Sequence, residues 1–320
     1  MKATILIDNK APNNLVCEWG LSALIEHRGH LTLLDAGDSG VFVENAQALG
    51  ADLARVECAA LSHAHYDHAD GFDAFFQVNS TAKLYIAEAA QENCYGIDQG
   101  EMVYMGVAPG MFTRHANRIV RVSRPTEIAP DVWALPHSTA GLAQKGVEAR
   151  MYVAPDQSNL DSALVSTAQA SATLPNNCAD ATAGESNLCE THARIRSSVP
   201  VPAEDELVPD DFAHEQSLIV KLDDGIAVFS SCSHCGPDVA IAEAQAFMPN
   251  ENIRALVGGF HLYETPDDEA RALAGRLKAA GIEHIYTGHC TGDRAFAILR
   301  EELGENMVSE TAGGLVIELA

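Results

Sequence analysis

The sequence predicts an α/β protein in which two similar β-rich halves pack face to face with helices outside. Three observations carry this. Apolar runs of strand length, bounded by Gly, Asn or Asp, recur along the 320 residues. Stretches with helical spacing lie between them, the first closing on a glycine. The order HLTLLDAGDSG, helix, ECAALSHAH in the first half is matched by IAVFSSCSHCG, helix, RALVGGFHL in the second.

In chain order, ATILI (3–7), LSALIE (21–26) and LTLLD (31–35) read as strands, and VFVENAQALG (41–50) as a helix. ARVECAALSH (54–63) reads as one buried strand running into LSHAHYDHADGF. AKLYIAEA, RIVRVS and VWALP follow as strands, with EMVYMGVAPGMFTRHA (101–116) a loop or short helix between them. Residues 165–205 are rich in Ala, Ser, Thr, Pro and Asn without a period, so they read as a loop insertion in a single domain spanning 1–320, poorly ordered or folded over the site as a flap. SLIVKLDDGIAVFSSCSH (217–234) then gives two strands around an Asp-Asp-Gly turn. Helix PDVAIAEAQAFM, strand IRALVGGFH, helix DDEARALAGRLKAAG, strand HIYTGHC, helix DRAFAILREELG and strand GLVIELA follow.

Composition narrows the function. A hydrophobic content of 47% supplies a full core. A formal charge of −25, from 45 acidic and 20 basic residues, makes a negative surface field that repels phosphate backbones and anionic lipid. Neither nucleic acid nor a membrane is an expected partner; a small-molecule substrate is. The opening MKATILIDNKAPNN has no signal-type apolar region, and the expected location is cytoplasmic. Eight cysteines without a dense framework suit reduced thiols, although Cys178 and Cys189 with His192 could clip a metal.

The chemistry concentrates in His63-x-His65-x-Asp67-His68. Side chains two apart on an extended chain point the same way, so His63 and His65 can reach one cation while the following turn lets Asp67 and His68 face a second. Imidazole and carboxylate suit zinc, manganese or iron. The histidines at 27, 30, 115, 137, 192 and 284 read as surface or satisfied core side chains, and Cys235, Cys290 and the other thiols as core or loop residues.

His63-Ala-His65-Tyr-Asp67-His68 resembles the signature of the metallo-β-lactamase fold, which implies a four-layer αββα sandwich with metals between the sheets at strand ends. Asp35 in LLDAGDSG matches that family's early D-x-G loop, with an expected role of orienting a ligand ring through its second nitrogen. The blocks HEQSLIVK, CSH, GGFHL and HCTG are similar to a narrower branch described as a metal-dependent hydrolase, or as a dihydropterin-ribofuranosylaminobenzene 5′-phosphate synthase. By position, the resemblance implies His63, His65 and His234 for a first metal and Asp67, His68 and His289 for a second. His214 competes with His234, and His234 is preferred because CSH ends a strand. Where most relatives have a bridging carboxylate this chain has Cys232, so either Cys232 or His261 takes part or the second site is weak.

The resemblance thus implies a metal-dependent hydrolase or transferase of a small, phosphorylated substrate, using one or two divalent ions, zinc foremost with manganese or iron open. Asp67 and His261 are the expected catalytic residues: Asp67 orients the nucleophile or moves its proton, and His261 either replaces the missing carboxylate or, as preferred, contacts substrate. An iron-based redox enzyme on the same fold and a metal-containing binding protein without catalysis are the alternatives.

Overall fold

Two seven-stranded sheets run through the computed structural model, which describes residues 1–12, 14–155 and 197–320. In the first, strands lie in the order Val316–Glu318, Lys2–Ile7, Ser22–His27, His30–Leu34, Cys58–Ala60, Lys83–Ala87, Ile119–Val122. In the second the order is Val308–Glu310, His284–Thr287, Ile253–Gly258, Gly225–Phe229, Gln216–Leu222, Val132–Pro136, Thr126–Ala129.

Alternation along the strands builds the layers. Leu218, Val220, Ala227 and Phe229 of the second sheet pack with Ile5, Ile25, Leu34 and Ala60 of the first in one core between the sheets. Their neighbours Ile219, Ile226 and Val228 face the other way, against Ile241, Leu273, Leu277 and Leu299 of the helices Pro237–Phe247, Asp267–Ala279 and Asp293–Leu303. On the far side Leu31 and Leu33 meet Phe42 of the helix Val41–Ala48 and Phe72 and Phe75 of the helix Phe72–Val78. Each fully buried aromatic there contributes roughly 1.5–3 kcal/mol. The result is the expected αββα sandwich.

The internal repeat is visible in the pairing. His30–Leu34 and Cys58–Ala60 are parallel neighbours joined through the helix Val41–Ala48, and Gly225–Phe229 and Ile253–Gly258 are parallel neighbours joined through Pro237–Phe247. A parallel pair delivers its carboxyl ends to one edge, so SHAH and GFHL both arrive there.

Two local expectations are corrected. The run 54–63 is a short 3-10 turn, Leu53–Arg55, followed by a strand of only three residues, Cys58–Ala60, because Asn79 satisfies the carbonyls of Leu53 and Val56 and so replaces ladder bonds. Residues 101–116 hold a strand, Glu101–Tyr104, as well as the helix Met111–Arg114. That strand belongs to a small sheet with Cys94–Asp98, Met151–Val153 and Val208–Pro209. Of the supposed insertion, residues 165–196 lie outside the described residues, as do Cys178, Cys189 and His192. Among the described residues no helix is long and apolar enough to cross a membrane.

Candidate metal centre

The edge where the parallel strands end carries four residues in the left-handed backbone region, Asp35, Ser233, His261 and His289. Such conformations cost energy and persist where surrounding contacts enforce them. Here the enforcing contacts are visible. Gly258 and Gly259 let the two loops of the second sheet approach: a Cβ on Gly258 would lie 2.0 Å from the Ser230 carbonyl, and one on Gly259 2.6 Å from Cys290 Sγ. The space a side chain would take at these glycines is filled by neighbouring chain. Gln216 ties the sheets together, taking a bond from its backbone N–H to Ser62 O at 2.7 Å and from its amide to Leu61 O at 2.8 Å.

Asp35 organises the first half. Its Oδ1 accepts from the Ser62 backbone N–H and its Oδ2 from Ser62 Oγ, both at 2.7 Å, and Oδ2 also accepts from His68 Nδ1 at 2.8 Å. Because Ser62 gives its proton to the carboxylate, its oxygen accepts from His63 Nδ1 at 2.8 Å. One buried carboxylate thus fixes the tautomer of two rings, directly for His68 and through Ser62 for His63, leaving each Nε2 with a bare lone pair. The expected role of Asp35 is seen at His68.

Asn9 does the same for the second half. Its Nδ2 donates to the His289 carbonyl at 3.1 Å, which turns Oδ1 towards His289 Nδ1 at 3.0 Å. The Nε2 atoms of His68 and His289 then face each other at 3.2 Å, with Cys232 Sγ 3.2 Å from the former. Asp67 Oδ2 lies 3.6 Å from His68 Nε2 and 3.4 Å from His289 Nε2. Burial raises Asp67, but His68, His289 and His65 outweigh it and hold the carboxyl below the usual range. Burial lowers His289, but Cys290 and Asp67 outweigh it and raise the ring to about 9, so without a metal a proton occupies the space on which two imidazoles and a carboxylate converge.

A second convergence adjoins this one. His63 Nε2 and His234 Nε2 are 3.3 Å apart, and His234 Nδ1 is buried without a hydrogen-bond partner. Burial and the surrounding imidazoles push both rings well below the ordinary histidine range, so both are neutral and able to ligate. The His65 ring stands 4.5 Å from that of His63 and 4.8 Å from that of His234, and burial with His214 pushes it down to about 3.

Ligand atoms of His63, Cys232 and His234 lie within 4.8 Å of one another, as do those of His68, Cys232 and His289, and those of His63, Asp67 and His68. Cys232 is common to the first two groups, so its thiol stands between the two convergences. His65 falls instead into a group with Cys94, Asp210 and His214. His214 itself is spoken for: the Ala64 backbone N–H donates to its Nδ1 at 3.1 Å, so Nε2 carries the proton and gives it to Asp210 at 2.9 Å. No lone pair remains for a metal, which separates His214 from His234. His261 joins none of these groups; its ring is 4.4 Å from that of His234, with Nδ1 buried and unpartnered.

The donor set fits divalent metal. Imidazole nitrogens, with outer partners on Nδ1 at His63, His68 and His289, a carboxylate and a thiol are the ligand types and the support expected of such a site. Sequence reasoning did not reach Asn9, Ser62 or Glu215, whose carboxylate accepts from the backbone N–H groups of His234 and Cys235, each at 2.9 Å. Ser62 had a signal in its place beside His63; Asn9, 280 positions from His289, had none.

Comparison with known proteins agrees. Residues 20–151 match the family model of the metallo-beta-lactamase superfamily. A stretch of 110 residues is 29% identical to the 7,8-dihydropterin-6-methyl-4-(beta-D-ribofuranosyl)-aminobenzene-5'-phosphate synthase of Methanocaldococcus jannaschii, covering 34% of this chain and 37% of that protein. An uncharacterized protein of the same organism is 37% identical over 67 residues, or 26% of its length. The chain thus spans about a third of the curated relatives it matches. Among solved structures, a metal-dependent hydrolase of the beta-lactamase superfamily is similar over 100% of this chain and 99% of its own, with 25% identity and a TM-score of 0.71. Zinc-bound PqqB from Methylobacterium extorquens shares the fold at 11% identity and a TM-score of 0.52, over 100% of both chains.

Proposed function

We propose, for a chain that has the metallo-β-lactamase fold and over residues 20–151 the sequence of that superfamily, that it is a metal-dependent enzyme which hydrolyses or transfers at a phosphoester of a small substrate. The observation that carries this reading is the convergence of His68 Nε2 and His289 Nε2, 3.2 Å apart, with Asp67 beside them. In this reading His63, His65 and His234 hold one ion, Asp67, His68 and His289 a second, and Cys232 stands between them.

Bound there, divalent metal supplies Lewis acidity and a nucleophile at neutral pH. The chain's own part is positioning. Asp35, Ser62 and Asn9 keep ring nitrogens aimed inward, and Asp67, ionised, takes a proton from the attacking group or orients it. In this reading His261, whose unpartnered Nδ1 lies on a ring beside His234, hands a proton to the departing oxygen. The likeness to the named synthase supports a substrate that joins an aromatic part to a sugar phosphate, and zinc is the first metal to try.

Reconstitution with zinc, manganese and iron in turn, followed by elemental analysis and assay on aryl and pterin phosphoesters, tests this. One to two zinc or manganese ions per chain with phosphoester turnover is the expected result. Less than about half an equivalent of any metal after reconstitution overturns the metal reading. Turnover only with iron and with oxygen consumption overturns the hydrolytic one.

A further inference from the structure

A cavity of about 310 Å³ opens beside the metal centre, with His289 and Asn9 on one wall. Trp19 and Tyr263 stand over it, 46% and 44% exposed, and they are the only aromatics among the large apolar side chains exposed in the described residues. Their rings meet edge to face, centroids 6.3 Å apart at 89°. Trp19 also lies 5.2 Å from the His289 ring, and Tyr263 5.0 Å from the His261 ring. With His261 4.4 Å from His234, the rings form an unbroken rim running from one convergence of ligands to the other.

Two large aromatic faces left in water at the mouth of a buried polar centre are a stacking surface without its occupant. Gly292, at φ +75°, would place a Cβ 3.0 Å from Tyr263 Cβ, so a glycine there lets Tyr263 pack close without strain. Charge selects the occupant. The one lysine in the cavity, Lys10, is engaged by Asp293 and Glu310, each at 2.6 Å. Lys10 is thus not free to hold a phosphate, whereas Asp8, Asp293 and Glu310 in the same wall can accept from N–H groups.

We propose that this cavity binds a planar, uncharged aromatic or heteroaromatic ring bearing N–H donors, stacked on Trp19 with Tyr263 against its edge. The ring belongs to the substrate whose phosphoester reaches the metals, so the inference rests on the function proposed above and names its ring-bearing part. Phe296 closes the apolar side of the cavity.

The chain has two tryptophans, and Trp133 packs against Phe247 in the second sheet, so a Trp133→Phe background leaves Trp19 as the reporting fluorophore. The zinc-loaded protein is titrated with 4-aminophenyl phosphate and, in parallel, with methyl phosphate. Saturable quenching is expected with the aryl ester alone. By direct binding calorimetry, Trp19→Ala and Tyr263→Ala should each weaken the aryl ester about 5-fold or more while leaving methyl phosphate and zinc content unchanged, and Trp19→Phe should restore most of the loss. Equal affinity for the two esters, or aryl affinity unmoved in both alanine variants, overturns the ring site. Quenching without turnover of any phosphoester overturns the proposed reaction and leaves the ring site standing, so the two failures are told apart.

Discussion

His289 and His137 are both buried imidazoles at the edge of the second sheet, and they use their nitrogens in opposite ways. His289 spends Nδ1 on Asn9 and turns Nε2 into a space shared with His68 and Asp67. His137 has nothing left to share: Nδ1 meets Glu243 at 2.5 Å, and Nε2 meets Glu215 at 3.1 Å and Cys235 Sγ at 3.2 Å. Burial lowers His137, but Cys235 and Glu215 outweigh it and raise the ring well above the ordinary range, so it is a charged brace between two carboxylates. The brace reaches the metal centre indirectly, since Glu215 holds the backbone of His234 and Cys235. His289 Nε2 faces a second imidazole, His68, as well as a carboxylate, whereas both His137 nitrogens are held by carboxylates; that is what separates a candidate ligand from a brace.

The largest effect is expected from breaking the brace. His137→Leu leaves two buried carboxylates facing each other without their cation, and removing one partner of a buried pair costs about 3–5 kcal/mol. Chemical denaturation of the metal-free protein measures it. The acid limb sharpens the point. Although burial raises both, His137 draws Glu215 and Glu243 down to about 2, so their contribution is present above the ordinary carboxylate range and is lost as pH falls towards 2. In His137→Leu that loss on acidification should shrink. A stability unchanged from the parent between pH 5 and 3 (about one unit either side of the free carboxylate value) would show that the brace carries no linked charge.

His289→Ala should do less to the metal-free fold and more to the metal. Deleting this ring opens a cavity and takes one partner from Asp67, which keeps His68 and His65 near it, so the stability cost should fall below that of His137→Leu. Affinity for a second ion should drop more than about 100-fold, beyond the range for loss of an outer partner. Chelator competition reads this directly, and two ions still bound at parent affinity would place the second site elsewhere.

The contrast also explains what was legible in the sequence. The αββα layering was, because alternation and strand-end glycines are local signals, and so was the gathering of His63, His65 and His68, which lie within one turn of chain. The choice of His234 over His214 rested on a strand end; the decisive fact, an Ala64 N–H occupying His214 Nδ1, is a contact across 150 positions that no spacing encodes. His137 read as an ordinary core histidine, which it is, but its hold on Glu215 and through it on His234 depends on three loops meeting. The strand over 54–63 failed because Asn79, a side chain far from the run, supplies its carbonyls with another donor. In each case the missing information was which polar atom is already satisfied, and by what.

Asp35→Asn tests that conclusion at the smallest scale, one oxygen exchanged for an NH₂. Asn accepts the left-handed backbone found at Asp35, φ 57°, as readily as Asp, so the loop should not move. The amide has two ways to sit. With NH₂ in place of Oδ1 it would confront the Ser62 backbone N–H, donor against donor, and that N–H cannot turn away. With NH₂ in place of Oδ2 it faces Ser62 Oγ, which can rotate to accept, and His68 Nδ1, which must then give up its proton to Nε2. The second arrangement is the cheaper, and it converts the nitrogen that faces His289 from an acceptor into a donor. Affinity for the second ion should therefore fall about 10- to 100-fold, less than for His289→Ala, with the first ion, proposed at His63, His65 and His234, affected less. Stepwise displacement by a chelator separates the two ions. If both leave at their parent affinities, the tautomer of His68 is not set by Asp35.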